Sequence, residues 1–200
     1  MALTLTTRLE AVNTIIGVIG EHPVNTLEIP LNDDVIRGKP VQVVVAENLL
    51  DDTNREIQSE GWAFNTEKDY TLIRDSDDKI ILPINTLRVD TELNKYTDID
   101  IVQRGNVLYD RKNHRETFTK NLDVEITFLL DFTDIPESFR RWITIRAARK
   151  MAARYIGSGE METFTLRDEF ESRRLAKSSD SASTDRSVFD NLQVFQTLVR

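Results

Sequence analysis

Cysteine is absent from the 200-residue sequence, and this absence excludes several kinds of site. Disulfide bonds, thiolate zinc sites and cysteine nucleophiles all need a residue that the chain lacks. Histidine is almost as scarce, since only His22 and His114 occur. They are far apart, and neither belongs to the H-E-x-x-H spacing that binds zinc from a helix. The composition therefore predicts neither a metal site nor a cysteine-based active site.

Long hydrophobic runs are also missing. No stretch approaches the roughly 20 apolar residues that span a bilayer, and the N-terminus lacks the basic start and apolar core of a signal peptide. We therefore expect a soluble protein that is made in the cytoplasm and has no membrane partner. The net charge of −8 argues against tight binding to nucleic acid through the whole surface, because such binding depends on clustered Lys and Arg.

Signatures of catalysis are not found either. The sequence has no glycine-rich phosphate loop and no G-x-S-x-G motif. Carboxylates are plentiful, and a pair such as Asp98 and Asp100 on one face of a strand could act as general acid and base on a glycan. A solvated acidic surface is the simpler explanation. We expect a protein that is not an enzyme and needs no cofactor, with glycan binding or polysaccharide hydrolysis as the alternative.

The N-terminal part of the sequence predicts two helices. Thr7 and Glu10 have the spacing of a capping box, and apolar residues follow at helical intervals. A second helix is expected from Pro40 to about Glu60, where Gly61 can end it. Its predicted apolar face consists of Val41, Val44, Val45 and Leu49.

The middle of the chain has the alternation of apolar and polar residues that indicates strands. This period of two runs from Trp62 to Leu130. Gly105 and Asn106 mark a hairpin turn, and the charged segment 112–120 is expected to form a loop at the rim of the sheet. The alternating apolar pairs are Tyr70 with Leu72, Ile80 with Leu82, Leu87 with Val89, Ile99 with Ile101, and Val124 with Ile126. We expect about five to seven antiparallel strands.

Helical spacing returns near residue 135. Asp134 and Glu137 predict a second capping box, with Pro136 in the first turn of the helix. A wide apolar stripe follows, whose central row is Phe139, Ile143, Ala147, Met151 and Tyr155. The Gly-Ser-Gly sequence at 157–159 should end this helix, and a shorter helix is expected over about 163–177.

The C-terminal residues combine two patterns. Residues 177–187 are rich in serine, which is typical of a flexible segment. Residues 188–200 are too apolar for an idle tail, so we interpret them as a segment that docks on this chain or on a neighbour. The side chains expected to make that contact are Phe189, Leu192, Phe195 and Leu198.

Together these patterns predict an α+β fold. Its N- and C-terminal helices form a helical bundle, and an antiparallel β region is inserted between them. The expected helical domain comprises residues 1–61 and 131–177, the inserted β domain residues 62–130, and the flexible docking segment residues 178–200. Because helices that flank an inserted sheet would pack on each other, we expect the sheet to protrude.

One helix is strongly basic within this acidic chain. Its cationic residues are Arg140, Arg141, Arg146, Arg149, Lys150 and Arg154. They could form the solvated face of an amphipathic helix that pairs with nearby acids. They could equally meet an acidic partner subunit or the DNA backbone. Both readings stay open, and we treat these residues as candidates for a partner interface.

Four strings, in order along the chain, resemble tail tubular protein A of bacteriophages with short non-contractile tails, the podoviruses. The first is AVNTIIGVIGEHPV at 11–24, followed by TLE at 26–28. The second is REIQSEGWAFN at 55–65, and the third is VLYD at 107–110. The fourth is DIPESFRRWI at 134–143, which continues through Ala147 to RYIG at 154–157.

This resemblance implies a structural role in the virion tail. Members of that family form a dodecameric ring beneath the portal protein of the capsid and act as a head–tail adaptor. They join the portal to the hexameric nozzle made of tail tubular protein B, and tail fibre protein attaches near that junction. Genomic DNA passes through the channel of the ring. The resemblance also implies that the predicted helical domain is the adaptor domain. We expect the β region, with its loop 112–120, to face the nozzle or the fibres.

Overall fold

The computed structural model describes residues 4–28, 39–92, 95–157 and 159–183, and of residues 159–165 only the backbone. Within these ranges the chain forms four helices and five strands. The helices are α1 (Arg8–Gly17), α2 (Val41–Gln58), α3 (Glu137–Tyr155) and α4 (Gly159–Ser183). The strands are β1 (Thr66–Leu72), β2 (Thr86–Asp90), β3 (Ile101–Arg104), β4 (Val107–Asp110) and β5 (Leu122–Phe128). The predicted α+β class is confirmed.

The chain divides into two compact units. The helical unit contains Met1–Asp51 and Pro136–Arg200, and the β unit contains Asp52–Ile135. In the helical unit, α1 packs on α3 and α3 packs on α4. The arrangement of the helices as a bundle, and the exact domain limits that the sequence suggested, stay predictions.

Helix α1 begins with the capping box that the sequence predicts. The backbone N–H of Glu10 donates to Thr7 Oγ1 over 3.2 Å, and the backbone N–H of Thr7 donates to Glu10 Oε2 over 2.8 Å. The hydrogen bonds that the Glu10 carboxylate accepts from the Thr7 backbone N–H and from the Thr7 hydroxyl lower the pKa of Glu10. The buried face of α1 is Ala11, Val12, Ile15 and Ile16.

Helix α2 occupies the predicted residues, but its predicted apolar face is wrong. Val41 and Val44 are exposed and Val45 is half-buried, so only Leu49 of the predicted set is buried. The buried residues are Val43, Ala46, Leu49, Leu50, Thr53, Asn54, Ile57 and Gln58. A run of consecutive valines places apolar residues on more than one face of the helix, so it does not determine which face is buried. Polar residues near the end of the helix make that choice. Gln58 exchanges two hydrogen bonds of 2.9 Å with the backbone of Leu130, and such a buried amide must face its partner.

The β unit contains a three-stranded antiparallel sheet of order β1-β5-β2 and a separate hairpin, β3-β4. The hairpin turns at Gly105, whose φ of 63° suits glycine, as the sequence predicts. Segment 80–82, however, makes only isolated bridges. In β2 the register shifts between Thr86 and Arg88, so Leu87 is only half-buried although it was predicted to alternate with Val89. Eleven buried residues form the core of the unit, including Ile80, Leu108, Leu122, Val124 and Ile126.

The start of α3 differs from the prediction. Pro136 is the N-cap residue, no side chain caps the helix, and the predicted capping box of Asp134 with Glu137 does not form. The Glu137 carboxylate instead accepts hydrogen bonds from Thr6, 2.8 Å from its backbone N and 2.5 Å from its Oγ1. A tertiary partner has therefore taken the side chain that the local pattern assigned to capping. The predicted row is buried from Phe139 to Met151, but its last member, Tyr155, is exposed.

Helix α4 is longer than expected. A shorter helix ending near residue 177 was predicted, whereas α4 has 25 residues and is longer than α3. Residues 178–183, which were assigned to a flexible segment, continue the helix. The Ser181 hydroxyl donates to the carbonyl of Lys177, and the Ser183 hydroxyl donates to that of Asp180. Serines that bond to the preceding turn in this way are compatible with a helix.

Candidate interaction surfaces

At least three of the six cations predicted as an interface on α3 have partners inside the chain. Arg140 is buried, and its Nη1 donates to the carbonyl of Thr6 over 2.9 Å. Arg149 donates to the Glu169 carboxylate on α4, and Arg146 Nε lies 3.6 Å from the same carboxylate. The structure therefore supports the intramolecular reading for these three arginines.

The remaining three cations on α3 face outward to different degrees. Arg141 and Arg154 are exposed, and Lys150 is half-buried. Within the ranges that the structure describes, neither Arg141 nor Arg154 forms an ion pair. These two side chains are the part of the basic helix that an external partner can reach.

The outer surface of α4 carries large apolar side chains. Phe170 is 69% exposed and Leu166 is 46% exposed, whereas within residues 166–183, the part of α4 whose side chains the structure describes, the buried residues are the small Ser172 and Ala176. An amphipathic helix normally buries its large apolar residues. Leu166 and Phe170 are four residues apart, so they lie side by side on one face. We call this pair the α4 stripe.

A second exposed apolar surface lies on the β unit. Ile81 bridges Val107 of β4, and hydrogen bonds between Leu108 and Ile80 and between Leu82 and Asn106 flank that bridge. Ile81 and Val107 thus form a cross-strand pair whose side chains are on the same face.

The same face extends to both sides of that pair. Tyr109 follows Val107 at an interval of two residues, and the Arg104 guanidinium lies 3.4 Å from the centre of its ring. The bridge between Arg74 and Ile80 sets a register that brings Ile73 beside Ile81. Ile73 is 71% exposed and Ile81 is 55% exposed. We call Ile73, Ile81, Val107 and Tyr109 the outer β face.

Net charge is distributed unevenly between the two units. The β unit contains 11 Lys and Arg against 18 Asp and Glu, a net charge of −7, whereas the rest of the chain contains 15 against 16, a net charge of −1. Asp75 and Asp77 are exposed on the turn that follows Ile73. Among the described side chains of α4, the exposed charged residues are four cations and two acids, namely Arg167, Arg173, Arg174 and Lys177 with Asp168 and Glu171. The outer β face is therefore part of an acidic surface, and the α4 stripe has cations beside it.

The charged loop 112–120 is tied to the β unit by its own side chains. Lys112 Nζ donates to the carbonyl of Thr97 over 2.6 Å, and Phe118 is buried in the core. The loop starts at Asp110, whose buried carboxylate accepts hydrogen bonds from Asn113 Nδ2 and from the backbone N–H of Asp100, Lys112 and Asn113. Burial raises the pKa of Asp110, but these hydrogen bonds outweigh burial and the pKa is lowered.

The carboxylates considered for glycan chemistry do not lie on a strand. Asp98 lies in a turn and Asp100 directly precedes β3, so the predicted placement on one strand face is wrong. Arg111 pairs with Asp100 at 2.8 Å, and Lys120 pairs with Asp98 at 3.7 Å. In the described part of the chain, no three His, Asp or Glu side chains are arranged to hold a metal ion. No helix in that part is long and apolar enough to cross a membrane.

A comparison with known protein families identifies the class of protein. Residues 9–186 match the model of a family described as tail tubular protein. The match includes elements of both compact units, from α1 to α4.

The chain belongs to the tail tubular protein family. Members of this family are structural proteins of bacteriophage tails, so the chain is a component of the virion tail that assembles with other tail and portal components. The resemblance found in the sequence is thereby confirmed. A search of curated proteins finds no match.

Sequence reasoning missed both exposed apolar surfaces. Ile81 stands between Ile80 and Leu82, which were predicted to point inward, and an apolar residue at the outward position of such a strand was the available signal. Phe170 and Leu166 have helical spacing, but the pattern did not show which face α3 would cover. Of the residues predicted to dock, Phe189, Leu192, Phe195 and Leu198 lie outside the described residues.

Proposed function

We propose that this tail tubular protein is the head–tail adaptor of its phage. In this role it forms a dodecameric ring that joins the portal protein to the nozzle made of tail tubular protein B, with tail fibre protein attached nearby. The observation that carries the proposal is the family match over residues 9–186, which includes both the helical and the β unit. Two units of different character suit a protein that must bind unlike partners.

The helical unit offers the surfaces proposed for the portal. Arg141 and Arg154 are exposed on α3 and are available to an acidic partner surface. The apolar segment 188–200 follows α4 after a short polar stretch, and we propose that it docks on the portal or on a neighbouring subunit. The β unit, with its loop 112–120, is proposed to face the nozzle or the fibres.

The charge of the protein suits a channel for DNA. A net charge of −8 repels the phosphate backbone, so a lumen lined by such a surface would let genomic DNA slide through without binding tightly. The repulsion follows from the sign of the charge on the whole chain. It is tested by ejection of DNA, whereas the adaptor role is tested by assembly.

The adaptor role predicts that the protein bridges two others. Purified portal rings and nozzle protein from the same phage should sediment separately when mixed, and together when this protein is added. The proposal is contradicted if the nozzle binds the portal directly, or if this protein binds neither of them.

Two variants examine the surfaces assigned to the portal. The double substitution Arg141→Glu with Arg154→Glu should weaken portal binding, and Lys68→Glu, which reverses one exposed cation on β1, should not. Truncation after Ser183 leaves all of α4 in place and removes the apolar segment. If the truncated protein binds the portal as well as the full chain does, the docking role of 188–200 is refuted.

A further inference from the structure

A closed ring of identical subunits imposes a requirement on the surface of each subunit. Its contacts are heterologous, so every copy must present two different faces that fit each other. Two of the exposed apolar surfaces in the described residues, the outer β face and the α4 stripe, have unlike surroundings. The inference below rests on the proposed ring.

The outer β face has the properties of a contact surface. Its residues are held by strand pairing, because Ile81 is opposite Val107 and the reverse side of this segment, including Ile80 and Leu108, is buried in the core. Because such a face is already rigid, it loses little conformational entropy when it binds a partner. The stacked Arg104 and Tyr109 at its margin are residue types that are enriched in interfaces.

The α4 stripe is complementary to this face in two respects. Both surfaces expose large apolar side chains, which water solvates unfavourably. The described side chains of α4 expose four cations against two acids, whereas the outer β face belongs to a unit with a net charge of −7. Opposite charges at the margins of an apolar contact favour encounter and exclude wrong pairings.

We propose that the outer β face of one copy packs on the α4 stripe of the next copy. Ile81 and Ile73 then bury their exposed surface against Phe170 and Leu166. The cations of α4 face the acidic margin, which includes Asp75 and Asp77.

The absence of cysteine from the chain makes this contact testable by disulfide trapping. One preparation carries Ile81→Cys and another carries Phe170→Cys, each as its only cysteine. Under a mild oxidant, on portal rings and at high concentration in solution, a mixture of the two should form a cross-linked dimer. Either variant alone should stay uncross-linked. A second pair, Ile73→Cys with Leu166→Cys, allows for unfavourable geometry in the first. The proposal is overturned if neither mixture cross-links, or if Ile81→Cys alone cross-links as efficiently as the mixture.

Disruptive substitutions give a second, independent readout. Ile81→Asp or Phe170→Asp alone should weaken self-association about 10- to 100-fold, as expected for central residues of an interface. In a mixture, the intact α4 stripe of the Ile81→Asp variant can still bind the intact outer β face of the Phe170→Asp variant. The other two faces of that pair are disrupted, so assembly should stop at dimers. Matched controls are Ile84→Asp in the β unit and Leu175→Asp on another side of α4, both at exposed apolar residues. Circular dichroism spectra must match the wild type.

The outcomes separate this inference from the proposed function. If the wild-type chain forms rings and both aspartate variants form them equally well, the contact assigned here is wrong and the adaptor role stands. If the wild-type chain forms no oligomer, either alone or on portal rings, the proposed ring fails and the contact fails with it.

Discussion

Glu169 holds α4 against α3. Its replacement should lower stability more than the replacement of any exposed charged residue on that helix. Its side chain is only 14% exposed, and the guanidinium groups of Arg146 and Arg149 converge on its carboxylate. The substitution Glu169→Gln keeps the shape and removes the charge that two arginines share. Removing one partner of a fully buried ion pair costs about 3–5 kcal/mol. Because both arginines keep partial access to solvent, which screens the pair, we expect a loss of about 2–3 kcal/mol.

Glu171 supplies a matched control on the same helix. It is 59% exposed and lies 3.7 Å from Arg167, which is more exposed still. Glu171→Gln makes the same chemical change two residues away, and an exposed pair of this kind contributes at most about 0.5 kcal/mol. The difference between the two variants therefore isolates the contact between the helices from the effect of net charge.

Trp142 reports on this contact. It is buried on α3, and the Arg173 guanidinium of α4 lies 5.6 Å from the centre of its ring. In a Trp62→Phe background, fluorescence during urea unfolding follows the helical unit alone. Glu169→Gln should lower the urea midpoint clearly, and Glu171→Gln should leave it almost unchanged. Equal effects of the two substitutions, or a loss below about 1 kcal/mol for Glu169→Gln, would refute the reasoning.

Three further predictions concern single side chains. Asp110→Asn should destabilise the β unit by about 1–3 kcal/mol at neutral pH. The pKa of Asp110 is lowered in the folded protein. The stability that its carboxylate contributes is therefore present above about pH 4 and is lost as the pH falls through the folded pKa. A stability difference between the wild type and Asp110→Asn that did not shrink in acid would contradict this. Glu137→Gln weakens the two hydrogen bonds from Thr6, so it should speed amide hydrogen exchange in residues 4–7. Unchanged exchange rates would count against the contact between Thr6 and Glu137. Gly61→Ala should lower the free energy of unfolding by about 1–2 kcal/mol, because φ is 78° and the new methyl group would lie 3.2 Å from Arg88. A methyl group at Gly17 would meet open space, so Gly17→Ala should be tolerated. Equal unfolding midpoints for the two variants would contradict this prediction.

Local sequence patterns predicted the features whose causes are local. The capping box of Thr7 and Glu10, the hairpin at Gly105 and the end of α2 before Gly61 all depend on residues within a few positions of one another. Each was confirmed, because the chemistry that stabilises it is contained in the pattern itself.

The predictions that failed depended on distant partners. Glu137 had the spacing for a capping box, but Thr6, which is 131 positions away, takes its carboxylate. In α2, Leu130 selects the buried face through Gln58. The serines near Ser181 read as a flexible segment, although their hydroxyl groups can bond within a helix. No single window of sequence contains these partners, so pattern and propensity alone could not decide between the alternatives.

The candidate surfaces illustrate the same limit. The sequence offered six cations on α3 as candidates for a partner interface and left intramolecular pairing open, and the structure shows that Arg140, Arg146 and Arg149 have intramolecular partners. It could not identify Phe170 as exposed, because helical spacing reveals that residues share a face and not what covers it. Fold class and family follow from sequence alone, and the choice between core and surface needs the packed structure.

The central claim is that this protein forms the ring between portal and nozzle, and electron cryomicroscopy of the intact phage tail tests it most directly. The account predicts a ring of twelve copies directly below the portal, with nozzle subunits on its other side and each β unit touching α4 of the next copy. Density for this chain within the nozzle or the fibres, with the portal joined to the nozzle by another protein, would contradict it.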